Sequence, residues 1–92
     1  MGVYLKDPSA VLDYAIDWSE NLGGASISES QWAVEPAEAD GLHATASFRE
    51  DGQTAVTLEG GIPGRMYRVA NTITRSDGRV DARSIVIRTE AR

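Results

Sequence analysis

The chain has 92 residues, 41% of them hydrophobic, so it can bury one small core and we expect a single domain over residues 1–92. It contains no cysteine, which excludes disulfide bonds, thiol nucleophiles and cysteine metal sites. The formal net charge of −5 argues against general nucleic-acid binding, because lysine and arginine are what hold a phosphate backbone.

The sequence contains no obvious membrane or export signal. No apolar run approaches the roughly 18 residues that a membrane-spanning helix needs. The first eight residues lack a basic segment followed by a long apolar one, so we expect no signal peptide. These patterns predict an intracellular product without a membrane partner.

Charged residues are unevenly distributed along the chain. Residues 1–64 contain 11 acidic and 2 basic side chains, whereas residues 65–92 contain 7 arginines and 3 acidic side chains. Interleaved strands would mix these charges over an ordinary surface. If the charges stay apart in the fold, they give a bipolar surface that orients copies or partners as they dock.

Alternation of apolar and polar residues predicts strands in the first third of the chain. Residues 1–8 end in Asp7-Pro8, and because proline has no N–H for a ladder, they predict a short edge strand or an arm. Residues 11–18 alternate strictly, which favours a strand over the helix that an Asp-Pro-Ser sequence could start. Their large side chains share one parity: Leu12, Tyr14, Ile16 and Trp18. Residues 25–34 predict the next strand. The apolar parity changes within it, which indicates either a bulge near residues 28–30 or a later start of the strand.

The middle of the chain predicts a hairpin, for which the sequence allows two registers. Residues 42–48 alternate, and the residues predicted to face inward are Leu42, Ala44, Ala46 and Phe48. Asp51-Gly52 suits a two-residue loop, because both residues tolerate positive φ. That loop would pair Phe48 with Ala55 and leave the strand at residues 53–58 apolar on both faces. A longer, bulged loop would shift the register instead.

A glycine-rich turn at residues 60–64 precedes the longest alternating stretch. Residues 66–75 predict a strand with Tyr67, Val69 and Ile73 on its core face.

Asp77-Gly78 predicts a second two-residue hairpin. Its register sets Val69 opposite Val86 and Asn71 opposite Ser84. It assigns four residues to the opposite, outer face: Arg68, Arg83, Ile85 and Ile87. The last strand, at residues 79–89, would then carry apolar side chains that need a cover.

About seven short strands with turn signals every 8–12 residues predict an all-β fold, an antiparallel β-sandwich. The stretch Ile62-Pro63-Gly64-Arg65-Met66-Tyr67-Arg68-Val69 resembles the turn and sixth strand of fibronectin type III and related Ig-like domains. The resemblance implies that Tyr67 forms a tyrosine corner after Gly64. Trp18 resembles the core tryptophan of the second strand in those domains.

A second resemblance covers nearly the whole chain. Its motifs are Lys6-Asp7-Pro8, Leu12-Asp13-Tyr14-x-Ile16-Asp17-Trp18, Tyr67-Arg68-Val69-x-Asn71-x-Ile73-Thr74 and Gly78-Arg79-x-Asp81-x-Arg83-Ser84. This pattern is similar to small virion proteins of tailed bacteriophages, of the fibre–tail adaptor or head–tail-region type. The resemblance implies a non-enzymatic, multi-copy component that is made in the bacterial host cytoplasm and binds other virion proteins and copies of itself. The loop at residues 35–41 departs from the usual pattern because it is acidic here.

The residues offer little catalytic chemistry. His43 is the single histidine, it has outward parity, and no Gly-x-Ser-x-Gly motif accompanies it. Glu35, Glu38 and Asp40 could gather oxygen ligands, but they lack the alternating spacing of a calcium loop. We therefore expect no enzyme activity, metal or cofactor.

The arginines near the C-terminus fit a protein interface better than a nucleic-acid patch, because exposed aromatic residues do not alternate with them. An ordinary charged surface remains possible. The predicted interface residues are Arg68, Arg83, Ile85, Ile87 and Arg88. The alternative function is a carbohydrate- or host-surface-binding module, in which Trp32 or Tyr4 would be an exposed stacking platform.

Overall fold

The computed structural model describes residues 3–50 and 52–91 and confirms an all-β fold. The strands are β1 (Val3–Lys6), β2 (Leu12–Asp17), β3 (Ile27–Glu35), β4 (His43–Glu50), β5 (Gln53–Glu59), β6 (Met66–Arg75) and β7 (Val80–Thr89). A one-turn 3₁₀ helix, Ser19–Asn21, follows β2. Within the described residues, no helix is long and apolar enough to span a membrane.

The strands form two sheets that pack into a sandwich. The four-stranded sheet has the order β1-β7-β6-β3, and the three-stranded sheet has the order β2-β5-β4. Neighbouring strands are antiparallel, except that β1 pairs in parallel with β7. The orders β7-β6-β3 and β2-β5-β4 are those of strands G-F-C and B-E-D in immunoglobulin-like sandwiches.

Two predictions in the first third of the chain are confirmed. β2 is a strand rather than a helix, and its inward residue Ile16 is buried. β3 contains a register shift between Ile27 and Glu29, at the position where the apolar parity changes.

The predicted inward face of β4 is wrong beyond Ala44. The loop at residues 51–52 pairs Phe48 with Ala55, as a two-residue connection would, although Asp51 lies outside the described residues. A bulge between Ala44 and Ala46 then reverses the parity of the strand. Phe48 therefore points outward and is 53% exposed.

The predicted register of β6 and β7 is wrong by one residue. Arg75 N donates to Arg79 O at 2.7 Å, which encloses a three-residue loop, and Gly78 takes a φ of +89° in it. Val69 therefore lies opposite Ile85, and not opposite Val86. Because a one-residue slip moves every side chain to the other face, the outer-face assignment is wrong for three residues: Arg83, Ile85 and Ile87.

The core consists of two clusters. One surrounds Tyr67 and Ile87, and the other surrounds Trp18 and Ile73. Trp32 packs against both clusters. Between the sheets the fully buried Asn71 lies on the same strand as Tyr67, so β6 connects the two halves of the core.

Candidate docking surfaces

The outer face of the four-stranded sheet carries an exposed apolar patch, which we call the four-stranded face. The register places these outward residues next to one another: Val3 and Leu5 of β1, Val86 and Arg88 of β7, Met66 and Arg68 of β6, and Glu35 of β3. Three of the apolar side chains are about half exposed: Val3 at 60%, Leu5 at 48% and Met66 at 49%. An exposed apolar cluster with arginines beside it is typical of a protein-binding surface.

The charges on the four-stranded face are balanced. Arg68 Nη1 lies 3.9 Å from Glu35 Oε1, and Arg88 Nε lies 2.7 Å from Glu90 Oε1. Both pairs are exposed, so water and salt screen them and they add little stability. They remain available for exchange with charges of a partner.

Two of the five residues predicted for the interface lie on this face, namely Arg68 and Arg88. Ile87 is fully buried in the core and cannot touch a partner. Ile85 is half-buried and packs against the same cluster from the inner side. The slip in register explains the difference, because the outward apolar residue of β7 is Val86.

Arg83 covers the open side of the sandwich between β2 and β7. Its guanidinium donates to Asp17 O at 3.0 Å and to Asn21 Oδ1 at 2.6 Å, and its Cζ lies 4.9 Å from the ring centre of Trp18. Trp18 is fully buried beneath it. The side chain lines a cavity of about 710 Å³ whose wall also includes Tyr4. Arg83 therefore has a stabilising contact in the folded chain.

Tyr67 lies at the entry to β6 with its hydroxyl held on two sides. The hydroxyl accepts a hydrogen bond from Ile62 N at 2.9 Å, five residues upstream, and donates to Glu38 Oε1 at 3.0 Å. The first contact is the one that defines a tyrosine corner. Glu38 also lies 3.6 Å from Arg65 Nε. These contacts hold the acidic loop against the turn, while Gly64 supplies a positive φ of +85°.

Tyr67→Phe should lower the free energy of unfolding by about 1 kcal/mol, because Ile62 N and Glu38 lose a partner where they are only partly buried. Urea titration measures the loss. Tyr4→Phe is the matched control, since Tyr4 is 45% exposed, and it should change stability by less than about 0.5 kcal/mol. Equal losses in the two variants would contradict the assignment.

Lys6 is a buried cation that was not among the site residues predicted from the sequence. It is 1% exposed, and its Nζ donates to Gly60 O at 2.8 Å and to Asp7 O at 3.0 Å. Burial lowers the pKa of its amine below the usual value. The contacts attach β1 to the glycine-rich turn, and so they support one edge of the four-stranded face.

The other sequence candidates lie apart from one another. Within residues 3–50 and 52–91, no group of three or more histidine or acidic side chains is placed to hold a metal ion. His43 Nδ1 lies 3.0 Å from Gly41 O. Trp32 packs into the core, and the ring of Tyr4 meets that of Tyr14 edge-on at 5.4 Å between centroids.

No curated protein has detectable sequence similarity to the chain. Residues 6–88 match the family described as "Podophage GP4 fiber-tail adaptor protein gp77", which covers nearly the whole fold described above. The chain therefore belongs to this family of phage fibre–tail adaptor proteins, and a structural role in the virion follows from that membership.

Proposed function

We propose that this chain is a non-enzymatic adaptor, present in several copies in the particle, that binds other virion proteins through the four-stranded face. The observation that carries the proposal is the cluster of half-exposed apolar side chains beside Arg68 and Arg88. Burial of such side chains drives association, and arginine is favoured where proteins meet.

The shape of the face supports this role. The molecule measures 42 × 20 × 19 Å, so one broad side can supply the roughly 800 Å² per partner that a standard interface buries. The centre of the sheet carries only small outward side chains, Ala33 and Ala70, in register between β3 and β6. A partner can therefore approach the sheet closely between the larger residues at its rim.

The test measures the chain in purified particles by mass spectrometry. The chain should be present in several copies per particle, and particles that lack it contradict the adaptor role. Particles assembled with the Met66→Asp variant should contain about tenfold less of the chain than wild-type particles, because a charged side chain replaces an apolar contact residue.

Val80→Asp is the matched control for the Met66 variant. Val80 is 65% exposed on the outer side of the same sheet and undergoes the same type of change, but it lies at the far end of β7, away from the apolar patch. It should enter particles at the wild-type level. Normal incorporation of Met66→Asp, with its fold verified by circular dichroism, would show that the four-stranded face is not the docking surface.

A further inference from the structure

The outer face of the three-stranded sheet is a second unpartnered surface, on the opposite side of the sandwich. We call it the Phe48 face. Its outward residues follow from the register: Asp13, Ala15 and Asp17 of β2, Gln53, Ala55, Thr57 and Glu59 of β5, and His43, Ala46, Phe48 and Glu50 of β4. The bulge in β4 is what turns Phe48 onto this face.

Phe48 is an exposed aromatic side chain on a flat base of small residues. It is 53% exposed and lies directly opposite Ala55, which is 8% exposed and has Ala15 on its other side. A cleft of about 90 Å³ opens beside the ring, next to Glu50 and Gln53. Aromatic side chains in such positions are frequent anchors of protein interfaces.

The charged residues with outward parity on the Phe48 face all have the same sign. Asp13, Asp17, Glu50 and Glu59 point outward, and among the described residues of this face there is no lysine or arginine. Arg49 follows Phe48 but has the opposite parity, because it pairs with the buried Thr54. The face therefore favours a partner that brings positive charge.

Two of these carboxylates are already oriented. Asp13 accepts a hydrogen bond from Thr57 Oγ1 at 2.6 Å across the strands. Asp17 Oδ1 accepts one from Ser19 N at 2.9 Å. The backbone N–H and the hydroxyl of Ser19, and more weakly Arg83, hold the pKa of Asp17 below its usual value, so it is ionised at neutral pH.

The four-stranded face of a second copy does not offer the matching surface. The arginines nearest the four-stranded face each have a carboxylate within 4 Å: Arg65 with Glu38, Arg68 with Glu35 and Arg88 with Glu90. The face as a whole has no excess positive charge to meet an acidic surface.

On the basis of the adaptor role proposed above, we propose that the Phe48 face docks a basic surface of a different virion protein, with the ring of Phe48 seated in an apolar recess of that partner. The two faces lie on opposite sides of one sandwich. One molecule thus contacts two neighbours at once, one through an apolar patch and the other through an acidic surface with an aromatic centre.

The first experiment replaces Phe48 with the photo-crosslinker p-benzoylphenylalanine and irradiates purified particles that contain the chain. The crosslinked peptide should belong to another virion protein and should contain several lysines or arginines. The same crosslinker at Val80 is the control and should not give this product. A crosslink to a second copy of the chain, a crosslink to an acidic peptide, or no crosslink overturns the proposal.

The second experiment measures the role of charge. Glu50→Lys should lower the amount of chain retained on particles by about tenfold in low salt, and the difference should shrink as salt screens the charges. Glu20→Lys is the matched control, because Glu20 is exposed on the 3₁₀ helix rather than on this face.

The outcomes separate the two proposals. Suppose that Met66→Asp is not incorporated into particles, while Glu50→Lys is retained like Glu20→Lys and the crosslinker at position 48 gives no more product than the one at Val80. The adaptor role then stands, and the Phe48 face is excluded as a docking surface. If the wild-type chain is absent from particles, both proposals fail.

Discussion

Asn71→Ala should lower the free energy of unfolding by about 3 kcal/mol. This loss combines the cost of leaving buried polar groups without partners and the cost of a small cavity. The Asn71 side chain is fully buried and makes four hydrogen bonds. Its Oδ1 accepts from Trp18 Nε1 at 3.0 Å and from Thr54 Oγ1 at 2.6 Å. Its Nδ2 donates to Ser30 Oγ at 2.9 Å and to Gln31 O at 3.0 Å. One amide of β6 thus connects β3, β5 and the residue that directly follows β2.

The loss is large because the partners stay buried. Trp18 Nε1 keeps only its 3.2 Å contact with Thr54 Oγ1, and Gln31 O loses its side-chain donor. Buried polar groups without partners cost about 1–3 kcal/mol each, less where another contact remains.

Urea-induced unfolding followed by tryptophan fluorescence measures the effect of Asn71→Ala. Thr72→Ala is the control, since Thr72 is the next residue of β6 and points to the outer face. The control should change stability by less than about 0.5 kcal/mol. A loss below about 1 kcal/mol in Asn71→Ala would show that water replaces the amide, and that the network adds little to stability.

The pattern of apolar residues predicted the strands and most of the core, but not the events that shift a strand by one residue. Alternation identified β6 with Tyr67, Val69 and Ile73 inward, and all three are buried. It failed at β4 beyond residue 44 and along β7. In both cases one extra residue, in a bulge or in a loop, reversed the faces. Local residue preferences do not determine whether a hairpin loop holds two residues or three.

The same shifts explain what was missed in the candidate sites. Arg68 was predicted on the outer face and lies there, and the slip in register also places Arg88 there. The outward apolar residue of β7 is Val86 rather than Ile85 or Ile87. Because Phe48 was predicted inward, no interface residue was predicted on the three-stranded face. The bipolar surface suggested by the chain's charges is realised in part: the three-stranded face is acidic, but the arginines of the opposite face are neutralised by nearby glutamates.

Gly61→Ala should lower the free energy of unfolding by about 3 kcal/mol, through backbone strain of about 1–2 kcal/mol together with overlap of about 1–3 kcal/mol. Gly61 has a φ of +112°, which alanine rarely adopts. An alanine Cβ would lie 2.6 Å from Thr89 Oγ1 and 2.9 Å from Thr89 Cγ2. Thr89 cannot move away easily, because its N donates to Arg65 O at 3.0 Å and its O accepts from Gly64 N at 2.7 Å.

Two comparisons separate strain from overlap. Gly64 has a φ of +85°, but an alanine Cβ at this position would have no atom within 4 Å. Gly64→Ala should therefore lower the free energy of unfolding only by the backbone strain. Combining Gly61→Ala with Thr89→Ala removes the two closest atoms and should recover the overlap part of the loss. Thr89→Ala sacrifices no hydrogen bond of that hydroxyl, since Thr89 Oγ1 has no hydrogen-bond partner among the described residues.

The same variant tests how the turn supports the docking surface. Thr89 directly follows Arg88, and displacement of Thr89 would tilt the end of β7 where it meets β1 and β6. Gly61→Ala should therefore reduce incorporation into particles even at temperatures where the chain is folded, and Gly64→Ala should not. Equal stability losses in the two variants would show that Thr89 adapts to the added methyl group. In that case the turn would act through its backbone conformation alone.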